Sequence, residues 1–200
     1  MRVYLRPPGK SDAPGFLSAV KASRELHAAW VHPPSTPARY AAFVRRYGSS
    51  TARNVLAATH VGLLVCRRED DAIVGVINIG EIVRGLFKSA YLGYYAFTPH
   101  TGAGYMSEGI ELALAMAFRT LKLHRVEANV QPTNLQSLAL VRRAGFVREG
   151  YSRRYVRIAG RWRDHVRMAL LIEDWRAASK LEAKLKRKVK GKLMWKAERP

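Results

Sequence analysis

The chain has 200 residues, 48% of them apolar and 10% aromatic, enough for one domain of ordinary size with a real core and some excess. Its formal charge of +20 implies a polyanionic neighbour, with RNA, ribosome and a phosphorylated cofactor all compatible, or else only a solvated basic face. No apolar run reaches the ~18 residues of a membrane span, the N-terminus MRVYLRPPGKSDAPG lacks the apolar stretch of a signal peptide, and the lone Cys66 excludes an internal disulfide, so a soluble cytoplasmic protein is expected.

Residues 2–6, RVYLR, read as a first strand. Ser11 is placed to cap a helix running to about Ala29, which HPPS then breaks. Thr36 followed by Pro37 is an N-cap with proline at the first helical position, so a second helix is expected over 37–47, stopping at Gly48. Three segments rich in β-branched and aromatic residues follow, 54–66, 72–84 and 88–97, joined by connections short enough for antiparallel hairpins. The apolar setting VGLLVC makes Cys66 a buried thiol rather than a reactive one.

Thr98-Pro99 ends the third strand, and a helix begins after Gly104 with Leu112, Ala115, Met116 and Ala117 in its apolar pattern. HRVEANVQ (124–131) is the next strand. Pro132-Thr133-Asn134 opens a helix to about Arg143. Gly145-Phe146 leads into a strand to about Ile158, Ala159-Gly160 turns, and RWRDHVRMALLI returns. Nine arginines crowd residues 142–167 against Glu149 and Asp164, and ten lysines and arginines crowd 176–200 against two glutamates. Leu181, Leu185 and Val189 recur every fourth residue in that last segment, which reads as a basic helical extension (176–200) on a domain of residues 1–175. The order β-α-α-β-β-β-α-β-α-β-β predicts a mixed α/β sheet around one core, not the βα alternation of a dinucleotide fold.

HTGAGYM (100–106) joins a strand to a helix. One reading is a tight turn and nothing more. The other is an anion site: amides at a helix N-terminus point outward where the dipole is positive, and Gly102 and Gly104 remove the side chains that would hold an anion away. A P-loop would need Lys-Ser/Thr where Tyr105-Met106 stand, so a pyrophosphate held by backbone fits better than a metal–nucleotide complex. The six histidines show no ligand spacing with cysteine or carboxylates, and no metal site is expected.

The strand ending YLGYYAF, the GxG turn, the helix, the strand leading to Asn134 and the helix closed by AGF resemble the GNAT acyltransferases. IVRG (82–85), YLGY (91–94), HR (124–125), Pro132 to Asn134, GF with EGY (145–151) and GxWRDH (160–165) are most similar to the RimJ/RimL ribosomal-protein-alanine N-acetyltransferases. The resemblance covers most of residues 2–175. It implies a mixed, largely antiparallel twisted sheet flanked by helices, and acetyl-coenzyme A as acyl donor. Its pyrophosphate would lie on the turn of His100, Thr101, Gly102, Ala103, Gly104 and Tyr105. The implied acceptor is the N-terminal amine of a ribosomal protein, with rRNA contacts through the basic tail and a monomer or dimer as the working unit.

The resemblance also implies roles for single residues. A backbone amide at Ala96 or Phe97 would meet the thioester oxygen. Asn134 would bond the pantetheine arm, against its ordinary use as an N-cap. Pro99 replaces the usual basic or Gln residue of the turn, leaving His100, Arg142 or Arg143 to supply charge. Many of these enzymes place a Tyr where this chain has Val141, so Ser137 is the candidate acid for the departing thiolate, against an ordinary surface serine. Glu81, Asp164 and His165 are the candidate bases, since the position of a related enzyme's glutamate holds Val156. An α-amine ionises near about 7.7–8.0, against about 10.4 for lysine, and so asks less of a base. Two other functions compete: acetylation of a small-molecule amine, and RNA or ribosome binding on the same scaffold with catalysis secondary or lost.

Overall fold

The computed structural model describes residues 1–48 and 55–181. The strands are Val3–Arg6 (β1), Val61–Arg67 (β2), Ile73–Val83 (β3), Ser89–Ala96 (β4), Arg125–Val130 (β5), Val147–Ile158 (β6) and Arg161–Leu171 (β7). They form one sheet in the order β1-β2-β3-β4-β5-β7-β6, antiparallel throughout except between β4 and β5. The helices are Ala13–Ala22 (α1), Arg24–His27 (α2), Pro37–Tyr47 (α3), Tyr105–Ala115 (α4), Leu135–Arg143 (α5) and residues 172–181 (α6). This is the mixed, largely antiparallel α/β sheet that the sequence predicts.

β2 explains why its sequence is apolar without alternation. Val61, Leu63 and Val65 join the core shared with Ile110 and Leu114 of α4 and Val141 of α5. Leu64 and Cys66 turn the other way, against Phe16 of α1 and Tyr40 and Phe43 of α3. Both faces of the sheet centre are therefore covered, and a strand covered on both faces has no polar side. Cys66 is buried and free, and burial pushes its thiol above the ordinary value.

Two expectations need correction. The helix expected from Ser11 to Ala29 is broken. A 3-10 turn covers Lys10–Asp12, and the Asp12 carboxylate accepts from the Gly9 amide (2.7 Å) while pairing with Arg6 (2.6 Å). The second break is at Ser23, 1% exposed, whose hydroxyl accepts from the Thr98 amide at 2.9 Å. That bond ties the first helical segment to the turn after β4, which local periodicity could not reveal. The strand expected over 54–66 starts only at Val61, after a turn at residues 55–57; residue 54 lies outside the described residues. Thr36 caps α3 as expected, accepting from the Arg39 amide at 3.3 Å. α6 carries Trp175 onto Phe118, with ring centroids 5.4 Å apart, and Leu181 is its last described residue. Leu185 and Val189 of the expected basic extension lie outside the described residues. No described helix is long and apolar enough to cross a membrane.

His27 and His165 are 5% and 4% exposed, and burial holds both below the ordinary value of 6.5. Below pH 6.5 the unfolded chain takes up protons that the folded one excludes, so stability falls as pH falls. The slope reaches at most about 1.4 kcal/mol per pH unit for each histidine. Asp12 and Asp164, whose pKa values are lowered, lose their contribution only further down, toward pH 4 and below. Urea midpoints measured from pH 7 to pH 5 should therefore fall, and His27→Gln should flatten the fall. An unchanged slope in that variant would remove His27 from the account.

Candidate active site

β4 and β5 pair only through Ser89–Tyr91 and Arg125–Glu127. Beyond Tyr91, β4 stays with β3 as far as Ala96, while β5 stays with β7 as far as Val130. A parallel pair that parts midway leaves a wedge lined by backbone groups with no ladder partner. The Phe97 amide donates to the Val74 carbonyl at 2.9 Å. Amides alternate sides along a strand, so Tyr95 and Gly93 also face β3, while the Tyr94 and Ala96 amides face the wedge. Of the two amides that the sequence leaves open, Phe97 is engaged and Ala96 is directed into the gap. His27 Nε2 holds the Ala96 carbonyl at 2.8 Å.

The turn after β4 is anchored at both ends. The Thr98 amide donates to Ser23, and the His100 amide to the Phe97 carbonyl at 3.0 Å. Gly102 and Gly104 have φ of +80° and +83°, in the left-handed region that disfavours side chains. Gly104 is the N-cap of α4. Among the described residues, no acceptor is bonded to the amides of residues 101–106, which leaves consecutive donors at the positive end of an eleven-residue helix. Arg2 braces this cradle: its guanidinium donates to the Ala103 carbonyl (2.9 Å), pairs with Glu108 (2.7 Å) and lies 4.8 Å from the Tyr105 ring centroid. Burial pushes Glu108 up, but the Arg2 amide and guanidinium outweigh it and hold its carboxyl below the ordinary value. His100 stands near Tyr105, with centroids 6.4 Å apart. Arg142 is exposed in the last turn of α5, and its guanidinium makes no hydrogen bond or ion pair among the described residues.

On the other side of the wedge, the Asn134 side chain caps α5 by accepting the Ser137 amide at 3.0 Å. The Ser137 hydroxyl lies 2.5 Å from the Tyr94 hydroxyl. Burial pushes the Tyr94 phenol up to about 12, against a smaller opposing effect of that hydrogen bond. The sequence missed this tyrosine as a partner of Ser137: the chain lacks one at 141, but β4 brings one to the same helix.

The face of the sheet opposite α4 and α5 carries a cavity of about 430 Å³. Asn78, Gly93, Tyr94 and Tyr95 line it from the sheet, His32 and Pro33 from the loop before α3, and Arg39 and Arg46 from α3. Asn78 Oδ1 and the Tyr95 hydroxyl are buried without a partner among the described residues. A side chain at Gly93 would meet nothing within 4 Å. Among the described residues, no carboxylate lines this cavity.

The three candidate bases differ in what holds them. Glu81, at a bulge of β3 with φ +49°, is bound by Arg46 and His60, each at 3.1 Å. Asp164 accepts from the Arg154 amide and the Tyr151 hydroxyl, each at 2.7 Å, which fixes a bulge in β6. His165 is buried and kept neutral at pH 7. Its Nδ1 lies 3.0 Å from the Arg163 carbonyl, which requires a proton on that nitrogen and leaves the Nε2 lone pair open. Val166, Met168 and Leu170 point into the core shared with α4, so Arg163, His165 and Arg167 face the cavity side. Beside them, Glu127 is held by Arg125 and Arg167, each at 3.0 Å. Among the described residues no three His, Cys, Asp or Glu side chains group as metal ligands.

The acetyltransferase (GNAT) domain family matches residues 2–147. A probable N-acetyltransferase of Bacillus subtilis, YjcK, is 40% identical over 115 residues, 58% of this chain and 62% of its own length. The ribosomal protein uS5-alanine N-acetyltransferase of Escherichia coli is 42% identical over 107 residues, 54% of this chain and 55% of its own length. The chain thus spans a little over half the length of the curated relatives it matches. A spermidine N(1)-acetyltransferase of Vibrio cholerae is also similar, 30% identical over 99 residues, 50% of this chain and 57% of its own length. Among solved structures, Mycobacterium smegmatis RimJ in complex with CoA-disulfide superposes with a TM-score of 0.75 at 27% identity, over 86% of this chain and 82% of that one.

Proposed function

The chain belongs to the GNAT acetyltransferases, and from that premise we propose that it moves an acetyl group from acetyl-coenzyme A to the N-terminal α-amine of a protein, a ribosomal protein foremost. The observation that carries the acceptor class is the cavity beside the wedge. Among the described residues it is lined by Arg39, Arg46 and His32 and by no carboxylate. A polyamine would bring several positive charges to the Arg39 guanidinium, which has no carboxylate partner among the described residues, and to Arg46, whose charge Glu81 only shares. A peptide N-terminus brings one amine, and a sizeable fraction of it is already neutral at pH 7–8. The acceptor named for the uS5-alanine relative, a protein N-terminus, fits this lining. Contact of the basic segment 176–200 with rRNA belongs to the same proposal.

The residues suit the donor. Unpaired amides at 101–106 suit a pyrophosphate, with Gly102 and Gly104 leaving it room. When bound, coenzyme A supplies an acyl thioester, activated toward an amine. The Ala96 amide, fixed by the bond from His27 to its own carbonyl, is aimed where the oxygen of that thioester would gather charge. His165 accepts the proton of the amine as the C–N bond forms. Ser137 delivers a proton to the sulfur as the C–S bond breaks, and Tyr94 replenishes it across their 2.5 Å contact. Asn134 orients Ser137 through the cap and keeps its amide nitrogen for the pantetheine arm.

Ser137→Ala is expected to lower kcat about tenfold to a hundredfold while leaving acetyl-coenzyme A affinity nearly intact. Thiol release with an N-terminal alanine peptide and calorimetry with the cofactor check the two halves. Unchanged turnover, where chemistry limits the rate, removes Ser137 from the reaction. Calorimetry showing no cofactor binding by the unaltered protein overturns the proposed function itself.

A further inference from the structure

We infer that the acceptor is an N-terminal segment carrying acidic side chains within its first few residues, read by a ring of arginines around the cavity mouth. This rests on the reading of the chain as an N-terminal acetyltransferase. One arc of the ring is α3. Arg39 is exposed, lines the cavity and has no hydrogen bond or ion pair for its guanidinium among the described residues. Arg46 lines it too, and its Nη2 is held by His60 and Glu81.

The opposite arc is β7. Arg161 and Arg163 alternate with Trp162 and fall on the same face as His165 and Arg167. Arg163 is half-buried, its Nε has no partner, and no carboxylate pairs with it among the described residues. The two acids of this hairpin are engaged elsewhere: Asp164 accepts from the Arg154 amide and the Tyr151 hydroxyl, and Glu149 pairs with Arg125.

The two arcs belong to one opening because the hairpin is docked on the loop before α3. The Ala159 amide at the hairpin tip donates to His32 Nε2 at 2.9 Å, and His32 itself lines the cavity. Gln131, just past the neighbouring strand β5, donates to the Ala29 carbonyl of the same loop at 3.0 Å. A partly buried guanidinium without an acid beside it is an unfavourable arrangement for a free protein. A carboxylate brought by the acceptor would resolve it, with the two parallel bonds that arginine forms. An extended peptide advances ~3.3 Å per residue, so side chains two to four residues beyond the reacting amine stand about 7–13 Å from it, the range in which long arginine side chains around an opening would meet them.

The test uses the full chain, acetyl-coenzyme A and three hexapeptides with N-terminal alanine, bearing Glu-Glu, Gln-Gln or Lys-Lys at positions three and four. The expected order of kcat/KM is Glu above Gln above Lys, by about tenfold per step at low salt, carried mainly by KM and shrinking toward 0.5 M salt. Arg39→Glu and Arg163→Glu should each shift the preference toward the Lys peptide. Equal rates on all three peptides would overturn the inference and leave the proposed function standing. No acetylation of any peptide, with cofactor binding intact, would overturn both.

Discussion

Replacing Gly104 with valine should weaken acetyl-coenzyme A binding by at least about a hundredfold. Gly104 sits at φ +83°, and a β-branched residue is strained there by about 1–3 kcal/mol whatever space is available. Its Cβ would stand 3.2 Å from Arg2 Nη2, the group that holds the Ala103 carbonyl. The substitution therefore deforms the run of amides at 101–106 and puts methyl groups where an anion would approach. Gly102→Ala is the milder companion. It shares the unfavourable φ, but a methyl group there meets nothing within 4 Å, so a loss of about tenfold is expected. Calorimetry with acetyl-coenzyme A reads both losses. The thermal midpoint of the free protein separates them from unfolding, since Gly104 is exposed and the core does not rest on it. Wild-type affinity in Gly104→Val would mean that the phosphates bind elsewhere.

His165→Gln should lower kcat/KM by about a hundredfold without changing cofactor affinity. The size follows from removing the candidate base whose Nε2 lone pair has no partner among the described residues. The pH profile distinguishes this role from a structural one. Burial keeps His165 below 6.5, so it remains neutral and able to accept a proton down to that range. The acceptor amine deprotonates higher, near about 7.7–8.0. In the wild type, log kcat/KM should rise with slope one between these regions and with slope two below them. In His165→Gln the steeper limb should vanish. Asp164→Asn and Glu81→Gln are the controls. The first turns one of the two oxygens that accept from Arg154 and Tyr151 into a donor and should lower the thermal midpoint while leaving both limbs in place. If the steep limb persists without His165 and disappears without Asp164, the assignment of the base is wrong.

Strand and helix boundaries were legible wherever the cue is local. Thr36-Pro37, Gly48 and the Asn134 cap act within one turn of the chain, and each stands where the sequence places it. The helix from Ser11 failed as one piece because its break is imposed from 75 residues away, through Ser23 and Thr98. Tyr94 escaped notice for a related reason. Within YLGYYAF it reads as one strand aromatic among several, and only the packing of α5 over β4 brings Ser137 to its hydroxyl. Arg2 braces Glu108 across 106 residues, and no spacing rule spans such a distance.

The sequence by itself determined the class of the fold, the succession of its elements and the glycine turn before α4. Those follow from periodicity, capping and steric freedom, which are properties of a few adjacent residues. The tertiary structure alone decided which amide faces the wedge, because that depends on where β4 and β5 part. It also decided which carboxylates are already engaged, because Glu81 and Asp164 meet their partners through strand pairing and helix packing. The nine arginines of residues 142–167 show the division most plainly. Their number is read from the sequence, but only the folding of β7 against β5 and β6 sends Arg163 to the side of the sheet where the cavity opens. Alternation fixes that two neighbours point opposite ways; which way is inward depends on what packs above and below.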